Sequence, residues 1–178
     1  MASILVVCGT GSALLAFAIQ QGSGAASLLG NSTLGLRNPT WIDFSPDGAY
    51  AYVVDEIFDS SGSVSPFSFD GSAFSPVGPA QPSDSPGTVH AKLHPGLEWL
   101  ATASYAGNSS AIFPRSTATG ALESPTLVWS PGQFAHAVTW AAPDTLFIPC
   151  LGSNYIAQYR FNPGTGAVTP AQVRPALS

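Results

Sequence analysis

Charge is what this sequence has least of. Only 8% of its 178 residues are Asp, Glu, Lys or Arg, about a third of the usual share. Lys92 is the single lysine, and Arg37, Arg115, Arg160 and Arg174 are the other cations, against ten acids and a net charge of −5. So few cations release few counterions from a phosphate backbone, which excludes nucleic acid as a partner. Anionic membrane surfaces are disfavoured for the same reason. A small anionic substrate needs only one or two placed cations and stays open. With 45% hydrophobic residues, the shortage of charge does not signal disorder.

Cysteine is equally scarce. Cys8 and Cys150 match no zinc or C-x-x-C spacing and read as reduced, buried thiols. Long uninterrupted apolar runs are also missing. The run from Ile4 is broken by Gly9-Thr10-Gly11-Ser12, too early to span a membrane. Met1-Ala2-Ser3 supplies no positive flank for a leader, so a cytoplasmic protein is expected. The same run offers Gly9 and Gly11 of a dinucleotide fingerprint, but Leu14 stands where its third glycine belongs. A hairpin is the simpler expectation, with strand Ile4–Cys8 turning through Gly9–Ser12 into Ala13–Ile19. Two N-x-[ST] sequons, at Asn31 and Asn108, matter only in a secreted protein.

What the chain does have is Gly and Pro, 18 and 16 of them. Prolines this frequent break helices every few turns, so an all-β chain of short strands and many turns is expected. Self-similarity organises it. Segments starting near residues 38, 87 and 134 each read as a short apolar strand, a Pro turn and a second apolar strand. The turn prolines Pro46, Pro95 and Pro143 lie 49 and 48 residues apart. Further strand-like runs follow, Val64–Phe69, Ser110–Phe113 and Tyr155–Phe161. Four strands recurring at this period predict the blades of a β-propeller, roughly three of them plus the N-terminal hairpin across residues 1–178.

Blade geometry turns the repeat into a map, because equivalent positions of each innermost strand face one axis. Thr40, His90 and His136 stand near the start of that strand, and Glu56, Tyr105 and Leu151 follow the second. These six are expected to ring one mouth, the usual setting for a binding site. Arg115 and Arg160 are expected on the surface, His94 is expected to be exposed in its turn, and Arg174 is given no role.

The segments NPTWIDFSPDGAYAYVVDE, TVHAKLHPGLEWLATASYAGNSSAIFP and FAHAVTWAAPDTLFIPCLGSNYIAQYRFNPGTGAVTP resemble successive blade signatures of the seven-bladed lactonase family. That family includes propeller-type 6-phosphogluconolactonases and carboxymuconate-lactonizing enzymes. The resemblance covers nearly the whole chain and implies about half of a seven-bladed ring. It implies an active-site role for His136 and aligns His90 with the other His-led signature. A catalytic Arg and Glu belong to a following blade, which would begin where this chain reaches Ser178, and Cys150 stands where the family tends to have Asp.

Lactone hydrolysis needs a base for water and a donor for the developing oxyanion. His136 is the candidate base, His90, Glu56 and Tyr105 are candidate substrate contacts, and the substrate expected is a small anionic sugar lactone such as 6-phosphogluconolactone. The alternatives are a lactonizing cyclase of the same family and a non-catalytic module for binding or assembly. No cofactor is expected, and no metal, because the axial positions supply Glu56 and little other carboxylate. No G-x-S-x-G elbow is present. A half-ring exposes strand edges, so the chain is expected either to form a homodimer or to be completed by further sequence.

Overall fold

The computed structural model describes residues 3–7 and 11–175. Strands β1 (Ser3–Val7), β2 (Ala13–Ile19) and β3 (Ala26–Thr33) form one antiparallel sheet in that order. The expected hairpin is therefore the first two strands of a three-stranded sheet. Of its expected residues, Cys8, Gly9 and Thr10 lie outside the described ones. The third strand, ASLLGNST, has no period-two alternation to announce it. Its Gly30 is required by packing, because a Cβ there would overlap the Ser72 carbonyl.

Three blades follow. The first has β4 (Pro39–Phe44), β5 (Tyr50–Asp55) and β6 (Ser63–Phe69), with β7 (Phe74–Pro76) and β8 (Gln81–Pro82) both paired to β6. Its outer strand is thus split, as expected where prolines remove ladder donors. The second runs β9 (Thr88–Leu93), β10 (Trp99–Ser104), β11 (Ser109–Pro114) and β12 (Leu127–Trp129). The third runs β13 (Thr139–Ala142), β14 (Thr145–Cys150), β15 (Tyr155–Asn162) and β16 (Ala167–Pro175), with a 3₁₀ turn at Leu151–Ser153. The structure is a partial propeller of antiparallel blades. Among the described residues, no helix is long and apolar enough to cross a membrane.

The sheets stack face to face. Leu14 packs with Val53 and Phe67 between the N-terminal sheet and the first blade. Tyr52 and Val64 meet Leu100 and Phe113 in the next interface, and Ile112 meets Leu146 and Ile148 in the last. Burying each large apolar side chain contributes about 1.5–3 kcal/mol. Middle blades are covered on both faces, so few strand positions are left for charge.

The first strands are also tied to one another. Asp43, Lys92 and Trp140 each stand three residues before a turn proline and pair with Tyr52, Ala101 and Leu146 on the second strands. The Asp43 carboxylate accepts Lys92 Nζ at 2.7 Å and the Leu93 amide at 2.8 Å. Trp140 Nε1 donates to the Lys92 carbonyl at 3.2 Å, and Trp41 Nε1 to the Ala91 carbonyl at 2.9 Å. A buried carboxylate is tolerated here because a cation and an amide satisfy it.

Two expectations are corrected. His94 is buried, at 2% exposure. It fills the turn position held by Ser45 in the first blade, its backbone N–H bonding Trp99 O as Ser45 bonds Tyr50 O. Its Nδ1 accepts the Gly96 amide at 2.9 Å, which leaves Nε2 to donate to the Pro143 carbonyl of the next blade at 2.7 Å. Arg115 is also buried, at 7% exposure. Its Nε donates to the Tyr52 hydroxyl and its Nη1 to the Leu97 carbonyl at 2.9 Å. The guanidinium lies 5.1 Å from the Tyr50 ring centroid, which replaces part of the lost hydration. Arg160 is exposed and paired with Asp144 at 3.1 Å, as expected of a surface charge.

Candidate active site

His136 lies just ahead of β13, where its backbone N–H bonds the Pro149 carbonyl at 3.0 Å and Ala135 bridges Cys150. That pairing holds the short lead-in segment against β14 while the imidazole stays exposed. A cleft of about 400 Å³ opens there, lined by His136, Cys150, Leu151, Asn154, Tyr155 and Ile156 among others. Tyr105, just after β10, meets the imidazole edge-on at 5.6 Å between centroids. The other side of this corner is Phe134, stacked on Tyr105 at 4.6 Å and 12°.

Phe134 escaped the sequence reading. It has φ +54°, a left-handed conformation uncommon for a bulky side chain. The Asn108 side-chain oxygen accepts its amide at 2.7 Å, and its carbonyl accepts the Leu151 amide at 2.9 Å. Only the Asn108 sequon hinted that this asparagine mattered, and its amide is engaged in structure. Asn31, by contrast, is exposed on β3.

His90 sits on β9 with its ring stacked on Trp41, centroids 4.0 Å apart. Its Nδ1 accepts the Val138 amide at 3.5 Å. Burial drives its pKa down to about 4 against an upward pull from Asp43, and Lys92 and His136 push the same way as burial. His90 is therefore neutral at physiological pH. In the sequence Trp41 has a place in the strand alternation but no site role, because its partner is 49 residues further along the chain.

The other expected positions are spread out. Thr40, His90 and His136 stand six, five and seven residues before their turn prolines, so they do not share one strand register. The Thr40 hydroxyl is buried and unpartnered among the described residues. Glu56 lines a separate cleft of about 330 Å³ with Arg37, Asn38 and Phe58, and its carbonyl accepts Asn38 Nδ2 at 3.0 Å. Leu151 is exposed at the rim, at 63%. The structure thus joins His136, Tyr105 and Leu151 in one corner, links His90 to that blade through Val138, and keeps Glu56 apart.

Cys150 is buried, and burial pushes its thiol up to about 11, which removes it as a nucleophile at neutral pH. Among the described residues no group of three His, Cys, Asp or Glu could hold a metal ion. A larger cleft, about 570 Å³, lies between β1 and the first blade, lined by Ile4, Val6, Phe44 and Phe69 with the turn acids Asp47 and Asp70. It holds neither an imidazole nor a cation.

Comparison with known proteins adds the wider frame. No curated protein matches the chain. Among solved structures, it is similar to a Bacteroides uniformis protein provisionally assigned as a 6-phosphogluconolactonase, with a TM-score of 0.86 at 18% identity, covering 98% of this chain and 55% of that one. A Bacteroides fragilis protein with the same provisional assignment gives 0.85 at 21% identity, over 99% and 55%. The periplasmic gluconolactonase of Pseudomonas aeruginosa gives 0.82 at 20% identity, over 97% and 56%. The chain spans little more than half the length of these structures, and at such identities the likeness speaks for the fold. Residues 4–177 match the family described as lactonase, 7-bladed beta-propeller. The chain belongs to that lactonase family.

Proposed function

We propose that this chain is the histidine-bearing half of a lactone hydrolase. The observation that carries the reading is His136: an exposed imidazole in a cleft beside Tyr105 and Leu151, with no side-chain hydrogen bond among the described residues. An imidazole so placed can take a proton from a water molecule. The water oxygen then bonds to the lactone carbonyl carbon, its proton passes to His136, and the carbonyl oxygen becomes an oxyanion. Collapse breaks the ring C–O bond, and the proton on His136 goes to the departing alkoxide, giving a hydroxy acid. An Arg and a Glu from blades outside this chain would complete the site, with the Arg stabilising the oxyanion. His90, Tyr105 and Glu56 are proposed as substrate contacts, with Glu56 accepting a hydroxyl from its separate cleft.

A sugar lactone is the proposed substrate, with 6-phosphogluconolactone, opened to 6-phosphogluconate, as the first candidate. One observation favours an unphosphorylated sugar lactone instead. Every cation whose side chain is described is either paired with an acid, as are Arg37, Lys92 and Arg160, or buried, as is Arg115. Within this half none of them is left free to clamp a phosphate.

Hydrolysis of 6-phosphogluconolactone and glucono-1,5-lactone by the wild type and His136→Gln tests both points. Turnover by the wild type that drops by about 10²-fold or more in the variant supports the base assignment. Equal turnover by both proteins removes His136 from the chemistry. No turnover by either favours a binding or assembly module, or a site left incomplete without the Arg and Glu of the further blade.

A further inference from the structure

Two histidines serve this axis, and their surroundings differ in kind. His136 is exposed, whereas His90 is half-buried and held on two sides. One side is the Trp41 indole, stacked at 4.0 Å and 27°. That indole is itself immobilised, because its Nε1 donates to the carbonyl of Ala91, the residue after His90. The other side is the Val138 amide, which donates to His90 Nδ1. A ring nitrogen that accepts an amide proton carries none in the neutral ring, so the His90 proton sits on Nε2. Nε2 has no protein partner among the described residues, which leaves a fixed N–H free for a ligand.

We infer that Trp41 is a positioning residue that, with the Val138 amide, holds His90 as a neutral Nε2–H donor for an oxygen of the bound lactone. This rests on the lactone hydrolase reading above. It divides the labour of the two imidazoles: His136 takes a proton, and His90 donates a hydrogen bond without exchanging one. Such a division needs unlike environments for like groups. A ring clamped between an indole and an amide pays little entropy to hold its donor in place, which is the advantage of preorganised sites.

The groups facing His90 are consistent with a neutral ring. Asp43 on β4 favours protonation, but its carboxylate is already bound to Lys92 Nζ and the Leu93 amide. Lys92, two residues along β9, and His136, ahead of β13, both oppose it. Desolvation adds to their effect and outweighs Asp43.

The test is ¹⁵N and ¹³C NMR of the imidazoles in the wild type, Trp41→Phe and Trp41→Leu, read beside KM and kcat. In the wild type His90 should show a protonated Nε2, a bare Nδ1 and no protonation down to about pH 5. Trp41→Phe keeps a stacking ring and should preserve that tautomer. Trp41→Leu should give a tautomer mixture and an apparent pKa moved towards 6.5. It should also raise KM about tenfold for whichever lactone is turned over, the cost of one neutral hydrogen bond, with the His136 limb of the pH profile in place. A proton on Nδ1 in the wild type, or an unchanged His90 tautomer and titration in folded Trp41→Leu, would overturn the proposal. If no lactone is hydrolysed by this half alone, the NMR result still decides whether Trp41 sets the state of His90.

Discussion

The side-chain oxygen of Asn108 accepts the backbone N–H of Phe134 at 2.7 Å, and both residues have φ of +54°. One left-handed residue thus latches another, two positions before the candidate base. Asparagine tolerates this conformation better than other non-glycine residues, and phenylalanine poorly. Asn108→Gly should keep the backbone and lose only the latch, costing about 1 kcal/mol. Asn108→Ala should lose both and cost about 2 kcal/mol. Chemical denaturation of the two variants checks this order, and equal stability in both would remove the conformational part of the argument.

His90 makes stability depend on pH in a defined window. Its pKa is lowered from 6.5 to about 4 by burial. Between those values the unfolded chain binds a proton that the native chain does not, so stability falls as pH drops from 6.5 towards 4 and the loss levels off below. The loss should be about 2 kcal/mol once remaining solvent contact is allowed for. In His90→Gln the unfolding temperature should be flatter across this range. The lowered carboxylates of Asp47, Asp59 and Asp70 act below it, because they take up protons only under pH 3.8.

Cys150 should be silent towards thiol reagents in the native state. Its thiol is buried and held protonated up to about 11, from a usual value of 9.0. In a Cys8→Ser background, iodoacetamide at pH 8 should label Cys150 only after unfolding, as mass spectrometry would show. The same shift implies that stability declines from pH 9 to 11, where the unfolded thiol ionises first.

Gly120 has φ +76°, and a Cβ there would overlap the Tyr50 ring. Tyr50 and Tyr52 flank the Arg115 guanidinium, and the Tyr52 hydroxyl donates to the Gly120 carbonyl at 3.1 Å. Gly120→Ala therefore combines backbone strain with displacement of an aromatic ring that covers a buried charge. A loss of at least about 2 kcal/mol is expected. A variant within about 0.5 kcal/mol of the wild type in urea unfolding would show that the turn shifts freely.

The N-terminal sheet leaves Leu5, Val7, Leu28 and Leu29 exposed. Apolar residues grouped on a sheet invite association. The isolated 178-residue chain should bind a hydrophobic dye and self-associate with rising concentration in light scattering. Leu5→Lys and Leu28→Lys should reduce both signals, and a dye-negative monomer would count against this reading.

Much of the architecture was legible because repeats encode it locally. The turn prolines Pro46, Pro95 and Pro143 set the blade period, and each flanking pair of apolar runs became two paired strands. The strand β3 was not legible, since its small and polar residues carry no alternation and it forms by pairing with β2. His94 and Arg115 misled for a related reason. Polar side chains read one at a time suggest solvent, yet each finds its partners in a different strand or blade, at Pro143 and at Tyr52. The histidines His90 and His136 could be picked out by residue type and repeat position. Their unlike states depend on Trp41, Val138 and Tyr105, residues distant in sequence that only stacked blades bring within reach. The sequence by itself determined the blade, its period and the residue types available on the axis, because strands and turns follow short-range rules. Only the tertiary structure decided which imidazole is exposed and which is clamped, because burial and partners are properties of neighbouring blades.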